Sequence, residues 1–155
     1  MTNLKRQNIY FASDFHLGAP NYESSRKRED KIVEWMSSIK GDCKELYLVG
    51  DLFDFWFEYK KAIPKGFIRL QAKIADFTDS GIPVTIFTGN HDMWMFDYLP
   101  KELGVELYRK PIRKTFYGKE FLIGHGDGLG PGDHGYKFIK KVFANRLSQW
   151  LFARL

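Results

Sequence analysis

Cysteine is almost missing from this chain. A single Cys43 in 155 residues excludes an internal disulfide and fits a reducing compartment. It follows Gly41 and Asp42 just before an expected strand, where a small loop residue is the simpler reading than a nucleophile. Long apolar runs are missing as well. None approaches the ~20 residues needed to cross a bilayer, and the polar start Met1 to Arg6 is no signal peptide. A cytoplasmic protein is expected, with peripheral membrane association left open. Acidic residues are missing from one region only. The last 20 residues, Tyr136 to Leu155, hold five of the 24 Lys and Arg and none of the 19 Asp and Glu, so residues 1–135 carry 19 of each sign and the net +5 lies wholly at the C-terminal end.

What is present reads as one globular domain, with 44% hydrophobic residues and enough length for a real core. Residues 8–13, 45–49 and 84–88 are short apolar runs expected to be strands. Arg28 to Ile39 and Phe67 to Asp79 show helical spacing of apolar residues, the first with Ser24 or Ser25 as its cap. That order, β-α-β-α-β with short links, argues for a parallel sheet in an α/β fold. A short helix near Tyr98–Leu103 and a strand over 105–108 follow. Residues 112–116 and 120–123 flank Tyr117-Gly118-Lys119 as an expected hairpin. A glycine-rich loop and a final helix close the chain.

Four of these runs end in polar residues of one chemical type. Asp14-x-His16 follows the first strand, Gly50-Asp51-x-x-Asp54 the second, Gly89-Asn90-His91-Asp92 the third, and Gly124-His125 the last. Strand ends are where open α/β sheets present ligands. Residues i and i+2 of a strand share a face, so Asp14 and His16 are expected to reach one cation. Gly50 lets Asp51 approach closely, Asn90 offers a neutral oxygen, and Asp92 is expected to orient the His91 imidazole. Asp54 is read evenly as a turn cap or as a supporting residue behind the ligands. Oxygen and nitrogen donors together suit Mn²⁺, Fe²⁺ or Zn²⁺. Two such ions ~3.5–4 Å apart could bind a phosphate and activate water for in-line attack.

In this order the motifs resemble the calcineurin-like metallophosphoesterases, matching four of that family's five signature blocks. The resemblance implies layered sheets flanked by helices and two divalent metal ions. It implies Asp14 and His16 on one ion, Asp51 bridging, and Asn90 and His125 on the other. His91, supported by Asp92, would act on the transition state or the leaving oxygen. His125-Gly-Asp127-x-Leu129, then Asp133 and Tyr136 and a basic aromatic helix, are similar to the branch that hydrolyses UDP-2,3-diacylglucosamine in lipid A synthesis. That similarity implies a metallophosphoesterase core over residues 1–135 and the start of an amphipathic helical lid over 136–155. It also implies Asn90, His91, Asp133 and Tyr136 against a lipid-linked nucleotide at the inner-membrane surface. His91 stands where the best-known diphosphatases carry Arg, which keeps a soluble phosphomonoester, phosphodiester or nucleic acid end as an alternative substrate. The fifth block, Gly-His-x-His, does not occur. The expectation is therefore a fragment or a truncated product with weakened metal binding, and a second alternative is an impaired metal-binding or membrane-association module.

Two aromatic stretches lie just past the motifs: Phe53, Phe55, Trp56, Phe57 and Tyr59, and then Met93 to Phe96. Core packing is the first reading and an apolar rim for acyl chains the second. Phe138, Ile139, Val142, Phe143, Leu147, Trp150 and Leu151 recur at helical spacing among Lys and Arg. That pattern suits a membrane interface, a lid packed on its own domain, or both. Nucleic acid is not the expected partner, because an apolar face does not track phosphates.

Overall fold

In the computed structural model, residues 6–127, 142–143, 145–152 and 154 are described. Strands β1 (Asn8–Ala12), β2 (Cys43–Val49), β3 (Val84–Phe87) and β4 (Glu106–Tyr108) lie side by side in chain order, every neighbour parallel. Ile9 pairs with Glu45, Leu46 with Val84 and Ile86 with Leu107. The two-residue period of a strand then sorts the side chains. Tyr10, Ala12, Leu46, Leu48, Val84 and Ile86 belong to one core, which α1 (Tyr22–Ile39), α2 (Ile68–Asp79) and α3 (Tyr98–Leu103) cover with Ile32, Met36, Leu70, Ile74, Phe77 and Leu99. Ile9, Tyr47, Val49, Phe87 and Tyr108 belong to a second core on the opposite face. The antiparallel hairpin of β5 (Ile112–Phe116) and β6 (Lys119–Ile123) covers it with Phe116 and Ile123. Its turn uses Tyr117 and Gly118, both at positive φ (51° and 77°), as a two-residue hairpin turn requires. The layers are thus helices, parallel sheet and hairpin, the α/β architecture expected. Each large apolar side chain withdrawn from water in these cores contributes roughly 1.5–3 kcal/mol.

Three local expectations are corrected. Helix α1 starts at Tyr22 rather than near Arg28, because Asn21 caps it: its Oδ1 accepts from the Ser24 N–H at 2.9 Å. Ser25 is one turn inside, buried, and its Oγ accepts from the Gly18 N–H at 2.8 Å. Cys43 is not a loop residue but the first residue of β2, and burial pushes its thiol up to about 11, so it is inert. At the C-terminal end, α4 (Arg146–Phe152) seats Phe152 on Trp94 and Phe57 with ring centroids 4.9 and 5.0 Å apart.

The aromatic stretches divide between core and surface. Phe53, Trp56, Phe57 and Met95 are buried, whereas Phe55 and Tyr59 remain exposed.

Candidate metal centre

The parallel sheet brings the C-terminal ends of β1, β2 and β3 to one edge, and the hairpin delivers His125 to the same place. The local geometry differs from the pleat argument. β1 ends at Ala12, and Asp14 and His16 lie beyond it with φ of 58° and 44°; Asp51 has φ 53°. These are left-handed conformations that non-glycine residues rarely adopt and that must be held by their surroundings. Backbone bonds between the first two loops hold them: Asp14 N–H to Gly50 O (3.1 Å), His16 N–H to Asp51 O (2.9 Å), Leu17 N–H to Leu52 O (3.0 Å) and Asp54 N–H back to Leu17 O (2.9 Å). Asp14 and His16 converge because the chain turns into this conformation twice, not because a strand alternates.

Asp51 sits at the middle. Its side chain is 4% exposed, and its Oδ2 lies 3.3 Å from His125 Nε2 and 3.8 Å from His16 Nε2. The His91 N–H fixes Oδ1 at 2.9 Å. Two glycines make the approach possible. A Cβ on Gly89 would lie 2.0 Å from Asp51 Oδ1, and one on Gly50 would lie 2.6 Å from His125 Nδ1. Burial alone would raise the Asp51 carboxyl, but the hydrogen bond to His125, the His91 N–H and the nearby imidazoles outweigh it and lower its pKa. His125 moves the other way. Its hydrogen bond to Asp51 raises it to about 9 against the opposing effect of burial. Its Nδ1 donates to Val49 O at 2.9 Å, and its Nε2 is also 3.2 Å from Asn90 Oδ1.

The other flank is open. Asp14 Oδ1 is 3.8 Å from His16 Nε2, and its side chain is 57% exposed. Asp54 is not a cap. Its Oδ1 stands 3.7 Å from His16 Nδ1 and 3.6 Å from His91 Nδ1, and its carbonyl accepts from His91 Nδ1 at 3.1 Å. Asp54 therefore supports His91, and the role expected of Asp92 is corrected. The Asp92 carboxylate is fully buried and committed to the backbone: Gly89 N–H at 2.7 Å, Leu52 N–H at 2.8 Å, and the N–H groups of Asp51 and Phe53 at 3.4 Å. Burial pushes it up to about 6, with those N–H bonds pulling the other way. It ties the second metal loop to the third. Asp133 and Tyr136 lie outside the described residues.

One supporting residue escaped the motif reading. Arg28 Nη1 donates to three carbonyls of the first loop, Phe15 O (3.1 Å), His16 O (2.8 Å) and Ala19 O (3.1 Å). Its signal was helical spacing: it lies three residues after Ser25 and one before Glu29, both buried, so it shares the inner face of α1.

The donor set fits divalent cations. Two carboxylates, two imidazoles and an amide oxygen converge within a few ångströms, at separations of 3.2–3.8 Å. Residues 7–152 match the calcineurin-like phosphoesterase family. The chain belongs to that family. Membership implies divalent metal ions, and the converging donors are possible ligands for them. A protein named UDP-2,3-diacylglucosamine hydrolase from Porphyromonas gingivalis is 38% identical over 149 residues, covering 96% of this chain and 57% of the relative. Proteins of the same name from Histophilus somni and Vibrio vulnificus are each 30% identical, with 94% of this chain covered and 60% and 58% of theirs. The phosphoesterase chain thus spans somewhat over half the length of these relatives. A solved protein of unknown function from Aquifex aeolicus shares the fold, with a TM-score of 0.51 at 18% identity over 87% of this chain and 71% of that one.

Proposed function

We propose that this chain carries the metal centre of a hydrolase that cleaves the phosphoric anhydride of UDP-2,3-diacylglucosamine, giving UMP and 2,3-diacylglucosamine 1-phosphate. The observation that carries the proposal is the buried Asp51 carboxylate between His16 and His125, set beside an apolar groove. That groove holds about 310 Å³ and is walled by Phe55, Met93, Trp94, Phe143 and Phe152 next to Asn90 and His91. The names of the relatives support the same substrate.

Asp14, His16 and Asp51 would hold one ion and Asp51, Asn90 and His125 the other, with Mn²⁺ favoured and Fe²⁺ or Zn²⁺ open. Bound there, the ions supply Lewis acidity toward phosphoryl oxygens and acidify water. The chain's own groups do the rest. The Nδ1–H of His125 donates to Val49, so Nε2 is its ligand atom once neutral. His91 places Nδ1 on Asp54 and keeps Nε2 for the substrate, where it can hold or donate a proton at the leaving oxygen. Asp92 keeps the second and third loops in register. Asp133 and Tyr136 are proposed to touch substrate.

The lipid end would lie in the aromatic groove. Leu147, Trp150 and Leu151, spaced by one helical turn on α4, are each more than half exposed, with Arg154 stacked over Trp150. That apolar stripe supports a resting place on the cytoplasmic face of the inner membrane. No helix among the described residues is long and apolar enough to cross a membrane.

The test is hydrolysis by the chain with Mn²⁺, comparing the lipid-linked nucleotide with an aryl phosphate and a soluble nucleotide. Release of UMP from the lipid substrate is expected. Turnover of the soluble compounds alone removes the substrate assignment and leaves a general phosphoesterase, which the 41% exposure of the His91 side chain would also serve. No metal-stimulated turnover of any of them defeats the hydrolase reading.

A further inference from the structure

A second hollow opens next to the candidate metal centre, and unlike the aromatic groove it carries Lys and Arg on a largely apolar wall. It holds about 440 Å³ and is walled by Gly18, Tyr22, Arg26, Lys65, Phe67 and Arg69 among others. A Cβ at Gly18 would stand 3.5 Å from the Phe67 ring and 3.8 Å from the Asp54 Cβ. Gly18, Phe67 and Asp54 therefore meet at one point, and the Asp54 carboxylate faces His16 and His91. Asp54 also walls the aromatic groove, so it separates the two hollows beside the donor cluster.

The aromatic groove has no Lys or Arg among its walls, whereas the second hollow has Arg26, Lys65 and Arg69. Its one carboxylate, Glu29, is already engaged, accepting from the Arg69 and Leu70 N–H groups at 3.0 Å each. Arg26 is shared with Asp30 at 2.9 Å, while neither Lys65 nor Arg69 enters an ion pair among the described residues. Tyr22 stands at the rim with 80% of its surface exposed, and Phe67 lies against Phe53 at 5.0 Å. Two cations with no ion pair among the described residues, beside the exposed Tyr22 ring, suit a ligand that is both anionic and aromatic.

We infer that this hollow is the nucleotide subsite: it takes the uridine phosphate end of the substrate while the acyl end lies in the aromatic groove. The inference rests on the hydrolase reading above and assigns the two halves of a bipartite substrate to two flanks of one centre. Lys65 and Arg69 meet the phosphate, and Tyr22 offers a face to the base. A rival hollow of about 300 Å³ lies at His125 and is also basic, with Arg109 and Lys110. It is less suited, because Arg109 already donates to Met95 O and lies over the Phe96 ring.

The test is a titration of UMP into the chain in EDTA, followed by backbone amide NMR, with inorganic phosphate and uridine as separate probes. Shifts are expected at Gly18, Tyr22 and residues 65–69. Lys65→Glu with Arg69→Glu is expected to weaken UMP and phosphate about tenfold and uridine much less. Tyr22→Ala should weaken UMP and uridine but not phosphate. Both sets of side chains are exposed, and an unchanged thermal midpoint confirms that each variant folds. Shifts confined to Thr88, Arg109 and Lys110, affinities unmoved by the variants, or no UMP binding at millimolar concentration would each overturn the subsite. Hydrolysis is scored separately on the unaltered chain. A chain that hydrolyses yet binds UMP elsewhere defeats the subsite alone, and one that binds UMP here yet hydrolyses nothing defeats the functional reading alone.

Discussion

The two sides of the donor cluster are built differently. On the inner side, the Asp51 and His125 side chains are 4% and 10% exposed, and both are displaced from their ordinary titration ranges. Asp92 lies beneath them, holding loop backbone rather than a side chain. On the outer side, the Asp14, His16, Asp54 and His91 side chains are 33–57% exposed. They are held by a loop zipped to its neighbour and by the Arg28 guanidinium. The inner side is fixed by burial, which makes each unpaired polar group costly. The outer side is fixed by loop hydrogen bonds and remains accessible to substrate. One centre thus combines a rigid base with an approachable face.

Removing one carboxylate from each side has the largest expected effect. Asp51→Ala is expected to weaken Mn²⁺ binding by more than ~100-fold and to abolish metal-stimulated hydrolysis, whereas Asp14→Ala should cost affinity only ~10-fold. Calorimetric titration measures both, and equal losses would erase the distinction. Next in size is Asp92→Ala, which strands buried N–H groups and should lower unfolding free energy by about 2–4 kcal/mol in urea. Asp92→Asn, which keeps an acceptor oxygen, should cost less. If the alanine variant unfolds at the same urea concentration as the parent, Asp92 does not tie the loops.

The titration behaviour of the inner pair sharpens the contrast. In the metal-free chain His125 is raised from its ordinary 6.5 to about 9, so its contribution is fully present below pH 6.5 and is lost as pH rises through about 9. Asp51 is lowered, so its contribution is present above the ordinary carboxylate value of 3.8 and is lost as pH falls through its depressed pKa. In EDTA the urea midpoint should therefore fall between pH 6.5 and 9.5, and His125→Gln should flatten that fall. Mn²⁺ binding at pH 7.5 should displace the His125 proton, seen as a buffer-dependent binding enthalpy.

The smallest expected effect belongs to the outer support. Arg28→Ala should weaken Mn²⁺ about tenfold, because three carbonyls of the His16 loop lose their donor. Arg28→Lys should recover part of it. An Arg28→Ala variant that binds Mn²⁺ as the parent does would make the guanidinium merely a fold anchor.

Much of this was legible in the chain itself. Apolar runs closing on Asp14, Asp51 and Asn90 located the strand ends, because a parallel sheet must deliver all such ends to one edge, and the separate hairpin brings His125 to the same place. Short-range patterns misled where a competing local interaction won. Asn21 caught the Ser24 N–H before either serine could cap the helix, so α1 began six residues early. Asp92, adjacent to His91 in sequence, turned away because four backbone N–H groups of the loops around it needed an acceptor. Asp54, 37 positions from His91, took the place beside the imidazole. Neighbourhood along the chain does not report which way a side chain points once the backbone leaves the strand.

The parallel sheet and the types of donor at its strand ends were set locally, since hydrophobic period and residue type survive without knowledge of the neighbours. Only the tertiary structure decided which carboxylate is buried, which nitrogen of each histidine is engaged, and how Arg28 and the left-handed turns hold the centre open. Those outcomes come from desolvation and from hydrogen bonds between separate segments, from 9 residues apart (Arg28 to Ala19) to 76 (His125 to Val49), and such terms exist only after the segments have met.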